Sequence, residues 1–276
     1  MIWVLCWLLS LPVAGFLMGV DRRLTARLQG RVGPPLWQSI WDAGKLLGKP
    51  ALRPAPRQAL WAAGYLGFLG LAVACLLGGA DLVLVVLLLG MATASLAVAG
   101  FIGPSPFSQL GAQRQLFLGL IYEPVLLLLA LGVQRVTGGW TFAGASLPLL
   151  YRLPLFLPGL LVALLAAWRK SPFDLASSEH AHQELVAGLA TEMGGRVLGL
   201  VELGHWWEME LLLLLAASLG YPSLGWALGL ALAFFLLGIL LDNLLPRLTW
   251  RYLWPLGWAL GLGGGLLNLI WLGVSR

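Results

Sequence analysis

Two stretches of this sequence gather protonatable side chains that are scarce elsewhere. Residues 171–188 read SPFDLASSEHAHQELVAG and hold Asp174, Glu179, His180, His182 and Glu184, with no Lys or Arg among them. The whole chain has only 3 His and 12 Asp plus Glu, so the concentration is marked. Just downstream, VLGLVELGHWWEMELLLLL spaces Glu202, His205 and Glu208 by three, which on a helix makes one slanting stripe about 9 Å long. Glu210 points to another side. A third acid, Glu123, sits in LIYEPVLLLL, where Pro124 removes a backbone donor and predicts a kink. A charged side chain inside an apolar span costs roughly 2.5–3.5 kcal/mol on insertion scales. Groups kept at that cost point to ion or proton transfer, the chemistry that carboxylates and imidazoles perform by taking up and releasing protons.

Other chemistries find little support. The His180-x-His182 pair has no third histidine near it and no HExxH motif, so no metal site is expected. There is no GxGxxG or phosphate-binding loop, hence no nucleotide site. Cys6 and Cys75 stand alone in separate apolar segments. No redox centre is expected in this chain, and any redox chemistry belongs to a partner.

The elements that must hold these residues are membrane-spanning helices. Mean hydropathy is +0.88 and 59% of residues are hydrophobic, with 14 Trp. Backbone groups in a bilayer must be satisfied within the segment, so the expected fold is an all-α integral membrane protein. Eight spans are expected, near 1–20, 58–79, 81–103, 115–133, 153–168, 197–219, 222–242 and 252–273, in a single domain over 1–276. The first segment lacks a basic leader and a small-residue cleavage site, so it reads as a retained span. Fourteen of the 17 Lys and Arg fall on the side that carries residues 21–57, 104–114, 169–196 and 243–251. The positive-inside rule places that side in the cytoplasm of a multi-pass inner-membrane protein, with both termini outside. The same rule accounts for the +5 charge without nucleic acid.

Two long cytoplasmic loops, 21–57 and 169–196, are the expected partner-docking regions, each with an amphipathic helix. In the first, Leu36, Trp37, Ile40, Trp41, Leu46 and Leu47 form an apolar face for the membrane interface or a partner. Asp42, Lys45 and Lys49 lie largely on another side. Arg31, Asp42, Lys45 and Arg114 are the expected charge partners, Arg114 standing at the start of the fourth span. In the second, Ser171-Pro172 can start one helix and Ser178 another. On the latter His180 and Glu184 share a face, Leu185, Val186 and Leu189 form the apolar side, and Gly194-Gly195 can end it.

With these segments in view a resemblance emerges. ARLQGRVGPP, WDAGKLLGK, IYEP, SPFDL followed by QELVAGLATE, and PRLTWRYLWPLGWALGLGGGLLNL resemble the membrane subunit shared by respiratory complex I and the energy-converting [NiFe] hydrogenases. The likeness runs through essentially the whole chain. The family pattern joins PFD to QELVAG by a short acidic link. Here the link is LASSEHAH, longer and bearing two histidines, which is similar to the Ech-type hydrogenases, as is VELGHWWE.

The resemblance implies eight spans, cytoplasmic loops that clamp a soluble redox arm, and acids that start an ion path. By matching motif those acids are Glu123, Glu184 and Glu192. The family has a further acid thirteen residues after Glu192, where this chain has His205, with Glu202 one turn earlier. Either residue can take that place. Implied partners are an iron–sulfur small subunit and a [NiFe] large subunit on the cytoplasmic side, and an antiporter-like membrane subunit laterally. Iron–sulfur clusters and the [NiFe] centre would lie in those partners. The expected function is a non-redox anchor coupling hydrogen evolution to H+ or Na+ translocation. The alternatives are the quinone-chamber subunit of a complex I-like NADH- or ferredoxin-quinone oxidoreductase and, from another class, a stand-alone secondary transporter. The lack of an internal repeat counts against the transporter.

Overall fold

The computed structural model describes residues 2–50, 56–170, 187–246 and 248–274. Among them the chain is helical and forms no sheet. The helices are α1 (Ile2–Leu28), α2 (Gln38–Gly48), α3 (Pro56–Leu77), α4 (Leu82–Phe101), α5 (Pro106–Thr137), α6 (Phe156–Ala167), α7 (Arg196–Ser218) and α8 (Leu224–Leu244). The last span starts as α9 (Leu253–Gly257), passes through a π-helical stretch Trp258–Gly263, and ends as α10 (Gly264–Val274).

Six of these are long and apolar enough to cross a membrane: those beginning at Trp3, Pro56, Leu82, Pro106, Leu224 and Leu253. The remaining two expected spans differ for opposite reasons. The α6 helix is apolar but only 12 residues long, about 18 Å at the standard rise. The α7 helix has 23 residues, but Glu202, Glu208 and Glu210 lower its hydropathy. Apolar length identifies a lipid-facing helix, whereas α7 faces protein along most of its length.

The α3, α4, α5 and α7 helices form the centre. The α3 helix packs on both α4 and α7, and α4 packs on α5. The α1 and α2 helices lie against α7, and α6 bridges α5 and α7, with the α9–α10 span against α5 and α6. Large apolar side chains project outward from α1, α8 and α10, among them Leu5, Leu8, Leu232 and Ile270. Such a surface is stable only against lipid or another apolar chain.

Two expectations change here, at the start of α5 and at the end of the second loop. The α5 helix begins at Pro106, with proline in its first turn and Ser105 as its N-cap. Arg114 therefore lies two turns inside a helix rather than at its start, and it is half-buried. The helix continues through Pro124 to Thr137 and ends on Gly138 in the left-handed conformation (φ 78°).

The α2 helix forms with Ser39 and Ala43 on its inner face, which leaves large apolar residues for the membrane interface or a partner. Trp37 and Trp41 are 52% and 53% exposed. Small residues let α2 lie close on the bundle and turn the tryptophans outward, while Leu46 and Leu47 settle over Gly199 of α7.

The second loop is described only from residue 187. There Gly188–Ala190 forms a 3-10 turn rather than the end of a helix. Leu189 fills the notch between α4 and α5, and the Ser108 hydroxyl bonds the carbonyls of Gly100 (2.9 Å) and Leu189 (3.0 Å). Gly195 does not close a helix but caps the start of α7 at φ 53°. A methyl group there would come within 2.2 Å of the Pro50 carbonyl oxygen.

Candidate functional site

The best-defined polar cluster inside the bundle centres on Glu208 of α7, which is 2% exposed. The Tyr65 hydroxyl of α3 donates to its Oε2 at 2.6 Å, and the Tyr122 hydroxyl of α5 donates to its Oε1 at 3.2 Å. The Tyr122 hydroxyl is also 2.9 Å from that of Thr93 on α4, which lies 3.1 Å from the Leu89 carbonyl. Four helices thus converge on one carboxylate. Donors aimed at both oxygens offset part of the cost of burying it.

With Glu208 ionised, the two hydroxyl protons of Thr93 and Tyr122 cannot serve all three of their contacts at once. Thr93 can donate to Tyr122 and Tyr122 to Glu208. Otherwise Tyr122 donates to Thr93 and Thr93 to the Leu89 carbonyl. The two arrangements differ by rotation of two O–H bonds, with no heavy atom displaced.

Around this cluster stand three more ionisable groups. His205, one turn before Glu208, is 8% exposed and tilts its ring against that of Tyr65 at 5.4 Å. Its ring nitrogens are buried, and the backbone of Val201, one turn earlier, acts on the ring. Glu123 of α5 is half-buried and acted on electrostatically by Glu208. It lies in a niche cut by glycines: a methyl group would come within 3.1 Å of its Oε2 from Gly90, and within 2.7 Å of its Oε1 from Gly119. The third is Arg169, just after α6. It sits at φ 59°, unusual for a residue other than glycine. Its charge acts on Glu208, Tyr65 and His205.

Glu210 occupies the far side of α7, as its spacing predicts. It is buried beside Ser10 of α1, whose hydroxyl accepts from the Trp207 indole at 2.9 Å and donates to the Trp7 carbonyl at 2.8 Å. A separate ionic knot lies at the end of the bundle that carries residues 21–57. There Lys170 bonds Asp21 of α1 at 2.8 Å and Asp242 of α8 at 3.0 Å.

The expected stripe is therefore realised in part. His205 and Glu208 enter the cluster, with Glu123 beside it. Glu202 is half-buried further along α7, and Glu192 is half-buried just after the 3-10 turn. Asp42 pairs with Arg22 at 3.3 Å and Lys45 at 3.8 Å, while exposed Arg31 bonds Gln29. Asp174, Glu179, His180, His182 and Glu184 lie outside the described residues. Among the described residues no three His, Cys, Asp or Glu side chains stand together as a metal site. Sequence reasoning missed Tyr65, Tyr122, Thr93 and Arg169. The available signal was the pair of tyrosines within apolar spans, since a buried tyrosine hydroxyl needs a partner.

The sequence profile of the NADH dehydrogenase family matches residues 1–273. The chain belongs to that family. Two relatives come from Escherichia coli K12. Hydrogenase-4 component C is 33% identical over 207 residues, which is 67% of this chain and 64% of that protein. Formate hydrogenlyase subunit 4 is 31% identical over 219 residues, 71% of this chain and 69% of that one. A subunit of the NADH-quinone oxidoreductase of Dehalococcoides mccartyi CBDB1 is 31% identical over 223 residues, 72% of this chain and 62% of that one. The chain thus spans less than two thirds of two of these family members. Among solved structures, a chain of the membrane-bound sulfane sulfur reductase, an archaeal respiratory membrane complex, superposes with a TM-score of 0.83 at 23% identity, covering 98% of both chains. The fold is therefore that of a family of membrane subunits from hydrogenase and oxidoreductase complexes, and this chain is a multi-pass membrane protein of that kind.

Proposed function

We propose that this chain is the non-redox anchor and ion-translocating subunit of an energy-converting [NiFe] hydrogenase complex. The observation that carries the proposal is the buried Glu208 bonded by two tyrosines, with Glu123 and His205 beside it and Arg169 acting on it. Arg169 is the first residue of the expected docking loop, 169–196. In this reading, a charge change in the peripheral arm is felt by the loop, which includes His180, His182 and Glu184. Arg169 passes it to Glu208, and Tyr122 and Thr93 exchange their hydrogen bonds as Glu208 changes charge. Glu192, Glu202 and Glu123 extend the path. The redox chemistry stays in the partner subunits, with the small and large hydrogenase subunits on the cytoplasmic side and an antiporter-like subunit at the flank.

The hydrogenase assignment is supported by the names of two relatives, hydrogenase-4 component C and formate hydrogenlyase subunit 4. It is also supported by the histidine-bearing link LASSEHAH. A second reading, the membrane subunit of a quinone oxidoreductase, is favoured by the NADH-quinone oxidoreductase relatives. Fold does not choose between them.

The deciding experiment is gentle purification of the complex, followed by assays for nickel and for hydrogen evolution from reduced ferredoxin or a low-potential dye. Quinone reduction without nickel would overturn the hydrogenase reading. Solute transport by the chain alone in liposomes would overturn the subunit reading. For the path itself, Glu184→Gln, Glu202→Gln and Glu208→Gln should each lower ion pumping in inverted vesicles while dye-linked hydrogen evolution persists. Undiminished pumping in all three would remove these carboxylates from it.

A further inference from the structure

The α6 helix ends on three residues whose side chains part in two directions. Trp168 and Lys170 go to α8 and α1. The Trp168 ring stacks on Phe235 at 5.1 Å and fills a notch at Gly238, where a methyl group would come within 2.8 Å of it. Lys170 bonds Asp21 and Asp242, and its ammonium lies 4.6 Å from the centre of the Trp168 ring. Phe235, Gly238 and Asp242 recur at helical spacing, so one face of α8 receives both side chains. Trp168 and Lys170 are 6% and 7% exposed. Arg169, between them, acts instead on Glu208, Tyr65 and His205.

The backbone makes this split. The Lys170 amide donates to the Leu165 carbonyl at 3.0 Å and the Arg169 amide to the Ala166 carbonyl at 3.2 Å. That pair of bonds is a helix cap whose left-handed position is usually filled by glycine. Arg169 occupies it at φ 59°. Glycine would fit there without strain, so an arginine held there by buried neighbours points to a use for its side chain.

We propose that Trp168 and Lys170 are positioning residues that, docked on α8 and α1, aim the Arg169 guanidinium at the Glu208 cluster. They act through Arg169, which is joined to each of them by one peptide unit. Two aspartates from different helices fix the Lys170 ammonium from both sides, and the Gly238 notch fixes the ring beside it. A displacement of α8 against α6 therefore moves Arg169 and changes the field at Glu208. Charges in a poorly solvated bundle are weakly screened, so a small movement has a large effect. The inference rests on the reading of Glu208 as part of the ion path, and it adds α1 and α8 to the elements that set its charge.

The test uses the purified whole complex and follows, as pH is varied, the infrared carbonyl band of protonated Glu208, identified by its loss in Glu208→Gln. Arg169→Gln should move the titration of that band. Gly238→Ala alters no charge but displaces the Trp168 ring, and it should move the band in the same direction, as should Lys170→Met. Lys170→Arg should restore most of the wild-type titration. Gly229→Ala on the same helix, with nothing within 4 Å of the added methyl group, should leave it in place. Arg169→Gly relieves the backbone, so it should keep or raise Tm and still move the band. In inverted vesicles, Arg169→Gln and Gly238→Ala should each lower the ions pumped per hydrogen evolved about fivefold. An unmoved band in both Gly238→Ala and Lys170→Met would overturn the proposal, as would an equal shift in Gly229→Ala. If Lys170→Met fails to assemble, Gly238→Ala decides alone. Normal pumping by Glu208→Gln would instead overturn the ion-path reading, and the band would still decide the positioning.

Discussion

The substitution Gly204→Ala tests the Glu208 cluster without replacing any ionisable group. Gly204 lies on α7 against the Tyr65 ring, and a methyl group there would fall 2.2 Å from Tyr65 Cε1 and 2.5 Å from Cδ1. Ordinary carbon contacts begin near 3.4 Å, so the ring must retreat by about 1.2 Å. Tyr65 is completely buried, and overpacking of this kind costs about 1–3 kcal/mol. The retreat also stretches the 2.6 Å bond from Tyr65 to Glu208 past hydrogen-bonding range. Loss of a bond to a charged group costs about 1.5–3 kcal/mol. Alanine returns about 1 kcal/mol in helix propensity, which leaves a net loss of about 1.5–5 kcal/mol.

The measurement is unfolding free energy of the purified protein in detergent, in a double-mutant cycle with Tyr65→Phe. Phenylalanine keeps the ring and removes the bond, so Gly204→Ala in that background should cost only the steric part. The coupling between the two sites should be about 1.5–3 kcal/mol. Gly67→Ala on α3 is the control. Nothing lies within 4 Å of its added methyl group, so it should be neutral or stabilising by up to about 1 kcal/mol. If Gly204→Ala is as stable as wild type, the packing argument fails. If its cost is the same in both backgrounds, the claim that Gly204 positions the Tyr65–Glu208 bond fails.

Two further outcomes follow from the ion pairs. Lys170→Met should cost about 3–5 kcal/mol, because it takes the ammonium away from buried Asp21 and from the nearby Asp242. Most of that should return when both aspartates are also changed to Asn, and a cost below about 1 kcal/mol in the single variant would show that water already reaches the knot. Asp42→Asn should cost less than about 1 kcal/mol, since the Arg22–Asp42 pair is 37% and 39% exposed. That cost should shrink as salt is added. A loss above about 2 kcal/mol, insensitive to salt, would show that this pair and not packing holds α2 in place.

Composition and periodicity alone determined that this chain is a helical membrane protein, roughly where its spans lie, and which helix carries acids through the bundle. The reason is local: a lipid-facing helix must be apolar along about twenty residues, and any polar group within it shows against that background. The α7 stripe was legible for the same reason, as was the separation of Glu210 from Glu208, because helical spacing alone puts them on different faces.

Spacing reports a face, however, and not what the face meets. Tyr65 is 143 residues from Glu208 and Tyr122 is 86 residues away, so no local pattern could join them. Which side of α2 turns inward was likewise undecidable from hydrophobicity, because small Ser39 and Ala43 allow the closer approach while lipid or a partner can cover the tryptophans. Only the packing of α3, α4 and α5 around α7 turned one buried glutamate into a hydrogen-bonded site, by bringing hydroxyls from three other helices within 3.2 Å of one another or of its carboxylate.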